Sequence, residues 1–351
     1  MSKENVPFGI GERAFSASSR EQRIPVEEVD NEVVWVNSKI NLPFNLKIGK
    51  STKMALFFSP GPTGKSVKVH NAHHRSALIS RAIFSDKEGR RYRDLDAKGV
   101  GYLYNEASEN GDQDEMDIDA PRKLIVDNEA LTKRNTDEEF SETGPWGFCE
   151  SGYAKIDRNM SEKFLAKGVR TYRVAAIIAL KEMIDNKGNK ISVEEAKRLH
   201  ILRQEDEPVI ELRAYTTRMR VINLTEESHL QDALALVRQE TGNPQMDKIE
   251  YAHWFAKTLG EQVAKIHKAG YVHGYIQYHN ITTDCHIVDL DSVYLRKELS
   301  AKNYKEKVQK DIEGGKDALE YLLVYGLKSS DENLKQELME EYTQAYQQEL
   351  K

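Results

Sequence analysis

The sequence predicts an α+β chain in two lobes, and two observations carry that prediction. Text rich in strand signals and holding one helix runs through residues 31–222, and mostly helical text fills residues 223–351. That order suits a strand-rich lobe and a helical lobe with a cleft between them. A chain of 351 residues is also long enough to build its core without disulfides or metal.

Taken in order, residues 1–30 are polar and mixed and read as a partly ordered extension. VVWVNSKINLPFNLKI follows as strand-like text. ALISRAIFSDKEGRRYRDLDAK, from Ala77 to Lys98, reads as two extended runs joined by a polar turn at Asp86 to Gly89. Residues 105–144 hold 13 acidic and 4 basic side chains and few apolar ones. Such a stretch buries too little to offset the cost of ordering, so it reads as a mobile insertion that could also dock a partner. SEKFLAKGVRTYRVAAIIALKEMI starts as a short helix, breaks near Gly168 and continues as an apolar run whose period leaves strand and helix open. EPVIELRAYTTRMRVINL suits a strand and its exit. In residues 248–269, Phe255, Leu259, Val263 and Ile266 recur at helical spacing, with Gly270 where a left-handed cap residue belongs. DIEGGKDALEYLLVYGL reads as a compact helix. The tail closes with an amphipathic helix whose stripe is Leu334, Leu338, Tyr342 and Tyr346.

Composition excludes several classes. The chain is 39% apolar and 31% charged with a net charge of −6, and the acidity belongs to the 105–144 segment. The nearly balanced remainder offers no electrostatic footprint for duplex nucleic acid. No run approaches the roughly 18 apolar residues of a membrane span, and the N-terminus lacks a secretory pattern, so a cytoplasmic protein is expected. Cys149 and Cys285 stand far apart without CxxC spacing, which argues for plain thiols. His70, His73 and His74 lack matching ligand spacing and read as loop residues. SPGPTGKS, residues 59–66, imitates a phosphate-binding loop but has Ser59 where the first glycine is required. Its two prolines remove or misdirect the amides that would cradle phosphate, so a surface turn is expected.

A sharper constellation is HGYIQYHNITTDCHIVDLDS, residues 273–292. Asn280 is followed by Asp289 after ITTDCHIV, which can form a tight hairpin returning the carboxylate beside the amide. Such a pair makes a hard-oxygen site for magnesium carrying nucleotide phosphates. Asn and Asp are equally ordinary turn residues.

IHKAGYVHGYIQYHN followed by VDLDS resembles a catalytic loop and metal motif of the protein-kinase-like fold, and the chain resembles the selenoprotein O family of protein adenylyltransferases. GRRYRDLDAKGVG is similar to that family's strand ending in Lys-Gly-x-Gly, SEKFLAKGVRTYR to its helix and turn, and ELRAYTTRMR to its arginine pair seven apart. The resemblance covers roughly residues 75–292. It implies a bilobal kinase-like fold binding ATP with magnesium or manganese. Lys98, Arg213 and Arg220 would hold phosphates, and Asp157 or else Glu162 would hold the lysine. Asn280 and Asp289 would ligate metal, with Asp291 an extra carboxylate for a second ion. AMP transfer to a protein hydroxyl is the implied reaction. Phosphoryl transfer to a protein or small molecule is the next.

The chain departs from the pattern where the base belongs. The family's aspartate before the metal-binding asparagine is His279 here, and the ordinary kinase base position is Tyr275. Imidazole can accept a proton at neutral pH, so His279 can replace that base. The other outcome is a catalytically silent protein that binds nucleotide. His273 reads as a histidine that braces the loop. The family's Asp-Tyr-Gly is Asp-Leu-Asp here, and a trimmed member without the family's long C-terminal half is expected.

Overall fold

A computed structural model describes residues 21–70, 75–105, 124–126 and 147–351. The chain divides into two compact units: a strand-rich one of 19–156 and 173–215, and a mostly helical one of 157–172 and 216–351. The sequence boundary at 222 therefore moves back to 215, and the second half of one helix joins the helical unit.

The strands are β1 (Glu21–Glu28), β2 (Asn31–Val36), β3 (Ile40–Asn41), β4 (Leu56–Phe58), β5 (Ser66–His70), β6 (Ser76–Asp86), β7 (Arg91–Lys98), β8 (Leu103–Asn105), β9 (Leu124–Val126), β10 (Cys149–Glu150), β11 (Arg173–Leu180), β12 (Glu182–Ile184), β13 (Lys190–Ser192), β14 (Pro208–Tyr215), β15 (Tyr271–Val272) and β16 (Tyr294–Leu295). The helices are α1 (Ser151–Ala166), α2 (Val193–Arg198), α3 (Glu227–Thr241), α4 (Lys248–Lys268), α5 (Ala301–Tyr321) and α6 (Glu332–Leu350).

In the strand-rich unit one sheet runs in the order β2-β11-β14-β7-β6-β5-β1-β4, with β10 also on β14 and β3 also on β6. The apolar run after Gly168 resolves as strand: β11 is paired along both edges by β2 and β14, and successive residues along it are buried, so both faces are covered and it reads as a continuous apolar run. The expected turn between β6 and β7 is present, with Asp86 Oδ1 accepting the Glu88 and Arg90 N–H groups. Two expectations are corrected. Residues 21–28 are not part of an extension but strand β1, whose Ile24 and Val26 alternate into the core. Residues 103–105 and 124–126 pair as a small antiparallel ribbon, so the acidic insertion is not uniformly loop. The rest of that insertion, with residues 1–20, His73 and His74, lies outside the described residues. His70 ends β5 rather than standing in a loop, and SPGPTGKS forms an irregular turn leading into that strand.

A buried ion network fixes this sheet. Arg173 on β11 donates to Asp86 Oδ2 at 2.5 Å and Tyr92 donates to the same oxygen at 2.9 Å, with Arg173 and Asp86 both buried. Burial alone would raise the Asp86 carboxyl. The Arg90 N–H, the Tyr92 phenol and the guanidinium charges hold it below the ordinary carboxylate value instead.

In the helical unit, α4 starts from a capping box: Asp247 accepts the Ile249 and Glu250 N–H groups, and Glu250 accepts the Asp247 N–H. Phe255, Leu259, Val263 and Ile266 are fully buried along it. Gly270 then adopts φ +81°. The α6 stripe of Leu334, Leu338, Tyr342 and Tyr346 is buried as its spacing predicts. α5 is longer than the segment read from 311, and its last turn passes into a π-helical turn over residues 322–326. Cys149 and Cys285 are buried free thiols. Among the described residues no helix is long and apolar enough to cross a membrane.

Candidate functional site

The hairpin expected between Asn280 and Asp289 forms in the helical unit. Ile281 bridges Ile287, the Thr282 N–H donates to the His286 carbonyl at 2.9 Å, and the Val288 N–H donates to the Asn280 carbonyl at 3.0 Å. The neighbouring chain clamps it on both sides. Thr171 Oγ1 donates to the Ile287 carbonyl at 2.6 Å, and the Val221 N–H donates to the Ile281 carbonyl at 2.9 Å. The register returns Asp289 to the residue just beyond the Asn280 partner. Asp289 is held at φ +69°, a left-handed conformation uncommon for a side-chain-bearing residue, and its carbonyl accepts Ser292 Oγ at 3.0 Å.

His273 is fully buried, and its Nε2 lies 2.8 Å from the Val288 carbonyl, so that nitrogen carries the proton. It braces the hairpin against the loop, as the sequence suggests. Asp311 on α5 completes the brace and was not singled out from sequence. Its two oxygens accept the His273 and Gly274 N–H groups at 2.8 and 2.7 Å, and His267 Nε2 donates to it at 3.1 Å. His267 Nδ1 accepts from the Tyr346 hydroxyl at 2.8 Å. α5 approaches the loop closely at Gly314, where a methyl group would overlap the Ile276 carbonyl.

Around the hairpin mouth, Arg220 Nη1 donates to the His279 carbonyl at 2.6 Å and lies 3.4 Å from Asn280 Oδ1. Asn280 is buried, and its Nδ2 donates to the Tyr275 carbonyl at 3.0 Å, which leaves its oxygen as the acceptor that faces Arg220. The His279 ring is half-buried, edge-on to Tyr278 at 5.6 Å. Burial first, then the Arg220 guanidinium, push its pKa below the ordinary 6.5 against the pull of Asp289. The imidazole is therefore neutral at pH 7 and able to accept a proton. Asp291 is half-buried in the turn after Asp289. Arg220, His279, Asn280 and Asp289 thus share one neighbourhood. In the same unit, Asp157 on α1 is fully buried and Glu162 half-buried.

Lys98 and Arg213 belong to the strand-rich unit, on β7 and β14. Their register pairs Lys98 with Glu211 and Arg213 with Asp96, and all four are buried. Arg213 makes an ion pair with Asp96, donates to Ser76 Oγ at 3.1 Å, and its guanidinium carbon lies 5.6 Å from the Tyr215 ring centre. Directly opposed residues on antiparallel strands face the same side, so these charges form one row.

Among the described residues no three His, Cys, Asp or Glu side chains gather as a metal site. An amide oxygen and a carboxylate still suit magnesium, which keeps waters and takes its remaining ligands from phosphates.

No family model matches the chain, and no curated protein matches it. Among solved structures it is similar to a rhoptry antigen kinase domain from Toxoplasma gondii, at 7% identity and a TM-score of 0.34, covering 81% of this chain and 83% of that one. It is also similar to ROP2 from Toxoplasma gondii, described as a virulence factor with a protein-kinase fold and no enzymatic activity. There the identity is 10% and the TM-score 0.33, over 90% of this chain and 73% of that one.

Proposed function

We propose that this chain is an ATP- and magnesium-dependent transferase with a protein-kinase-like fold of the selenoprotein O kind, moving AMP to a protein hydroxyl. The observation that carries the reading is the hairpin that sets the Asn280 amide and the Asp289 carboxylate in one neighbourhood with Arg220 and a neutral imidazole, His279. The left-handed backbone of Asp289 adds to it, since conformations of this kind persist where surrounding contacts impose them and gather at functional sites.

Asn280 and Asp289 would hold the metal, with Asp291 as a further carboxylate. When bound, the ion neutralises phosphate charge. Lys98, Arg213 and Arg220 would supply point and forked positive charge for the phosphates, and Asp157 or Glu162 would position the lysine. His279 would take the acceptor's proton at an imidazole nitrogen.

A second reading, a catalytically silent nucleotide-binding scaffold, is favoured by one specific contact. The Arg220 guanidinium faces the same Asn280 oxygen that a metal would use, and no carboxylate occupies either base position. Incubating the full chain with magnesium and ATP labelled at the α- or the γ-phosphate separates the readings. Label from α in protein means AMP transfer and label from γ means phosphoryl transfer. Binding with neither means a scaffold.

A further inference from the structure

We propose that the surface formed by the start of α5 and the neighbouring loop docks the acceptor, and that it selects a protein segment with acidic residues beside the hydroxyl. The word acceptor rests on the function proposed above. The surface and its selectivity do not.

α5 begins at the cap Ser300, whose Oγ accepts the Asn303 N–H at 3.1 Å, and its first turn contains no acidic residue. A helix start carries partial positive charge and favours carboxylates. Around this one, Arg296, Lys297 and Glu298 precede the cap, Lys302 lies in the first turn, and Lys305, Lys307 and Lys310 follow in the next turns. Among the described residues, Lys302 meets Glu306 at 3.9 Å, while Lys297, Lys305 and Lys310, all exposed, have no acidic partner. Lys302 is offset by Glu306 within the helix, whereas Lys297, Lys305 and Lys310 are left to carboxylates that a partner can bring.

The patch adjoins the candidate site. Lys307 and Lys310 share the face of α5 that carries Gly314 at the Ile276 carbonyl. A methyl group on Gly274 would stand 3.4 Å from Lys307 Nζ and 3.5 Å from the Tyr294 ring. Lys307 Nζ itself lies 4.0 Å from the centre of that ring. Tyr294, 36% exposed, presents apolar surface beside the Lys307 ammonium, and Tyr275, 56% exposed, follows Gly274 in the same loop.

Charge complementarity selects the occupant. Unpaired lysines beside exposed tyrosines suit carboxylates on a chain that also has apolar stems. Glu298, Glu306 and Glu313 are exposed within the same stretch. They would repel the unbroken charge of a nucleic-acid backbone, whereas a peptide can place its carboxylates between them.

The test is nucleotide-free binding of dye-labelled serine peptides to the full chain by fluorescence anisotropy. The residues flanking the serine are all glutamate, all glutamine or all lysine. The glutamate peptide is expected to bind at least about tenfold more tightly than the glutamine peptide, with the difference shrinking as salt rises. Lys307→Glu combined with Lys310→Glu should abolish the preference. Lys163→Glu combined with Lys187→Glu, an equal charge change elsewhere, should keep it. Should the first double variant fail to fold, Lys307→Gln with Lys310→Gln replaces it, folding being checked by circular dichroism. Equal binding of glutamate and glutamine peptides overturns the proposal. So does equal loss in both double variants, or tighter binding of single-stranded DNA than of the acidic peptide. None of these results depends on whether ATP label is transferred.

Discussion

Asp311 holds the candidate loop by its backbone: one carboxylate oxygen accepts the His273 N–H at 2.8 Å and the other accepts the Gly274 N–H at 2.7 Å. The same carboxylate receives His267 Nε2, so three donors depend on one buried group. Asp311→Ala is expected to cost about 3–5 kcal/mol, because it strands buried donors. Urea denaturation followed by circular dichroism checks this; a midpoint equal to wild type would refute it.

Asp289→Ala is expected to weaken magnesium-dependent nucleotide binding without lowering the melting temperature by more than a few degrees. Calorimetric titration with and without magnesium decides it, and unchanged affinity would count against the hairpin as a metal site.

His279→Ala is expected to keep nucleotide binding and lose turnover. In the wild type, the acid limb of the rate profile should have its midpoint below 6.5, since burial and Arg220 depress this imidazole. As pH falls through that midpoint the ring gains a proton and stops acting as a base, so the rate drops on the acid side. An undiminished rate in the variant removes His279 from the chemistry.

Asp86 gives the strand-rich unit its own acid sensitivity. Its folded pKa lies below the ordinary 3.8, so its contribution is complete above the unfolded value and is lost as pH falls through the folded one. Asp86→Ala is expected to cost about 3–5 kcal/mol at neutral pH by leaving Arg173 buried without its closest carboxylate. Its stability should then change less than that of wild type below about pH 4, as denaturation curves across that range will show.

Gly314→Ala tests how closely α5 meets the loop. The added methyl would overlap the Ile276 carbonyl, so helix or loop must shift, at about 1–3 kcal/mol. Thermal melting of the variant measures the cost. An alanine that raises the melting point, as helix propensity alone predicts, would show that the loop yields freely.

Much of the fold could be read from residue spacing. The stripe ending at Gly270, the stripe from Leu334 to Tyr346, and the turn at Asp86 each declare a local period or cap, and local physics decides them. The hairpin from Asn280 to Asp289 was legible for the same reason, since its paired residues lie within eight positions of one another. Strand β1 was obscured because Pro25 and the charged flanks of EQRIPVEE mask a short alternation of Ile24 and Val26. Asp311 could not be found this way. Its partners lie 37 and 38 residues upstream, and nothing in DIEGG distinguishes a buried acceptor from a solvated helix charge. The pairing of Arg213 with Asp96 depends on strand register, which neither segment encodes alone.

The link from Tyr346 through His267 to Asp311 also bears on the order in which the polypeptide matures. During synthesis, residues 273–289 leave the ribosome well before the helix that ends the described chain. A nascent molecule lacking Tyr346 has His267 and Asp311 without the final hydroxyl of their relay, so the hairpin segment acquires its full support only once residue 346 has been translated and folded.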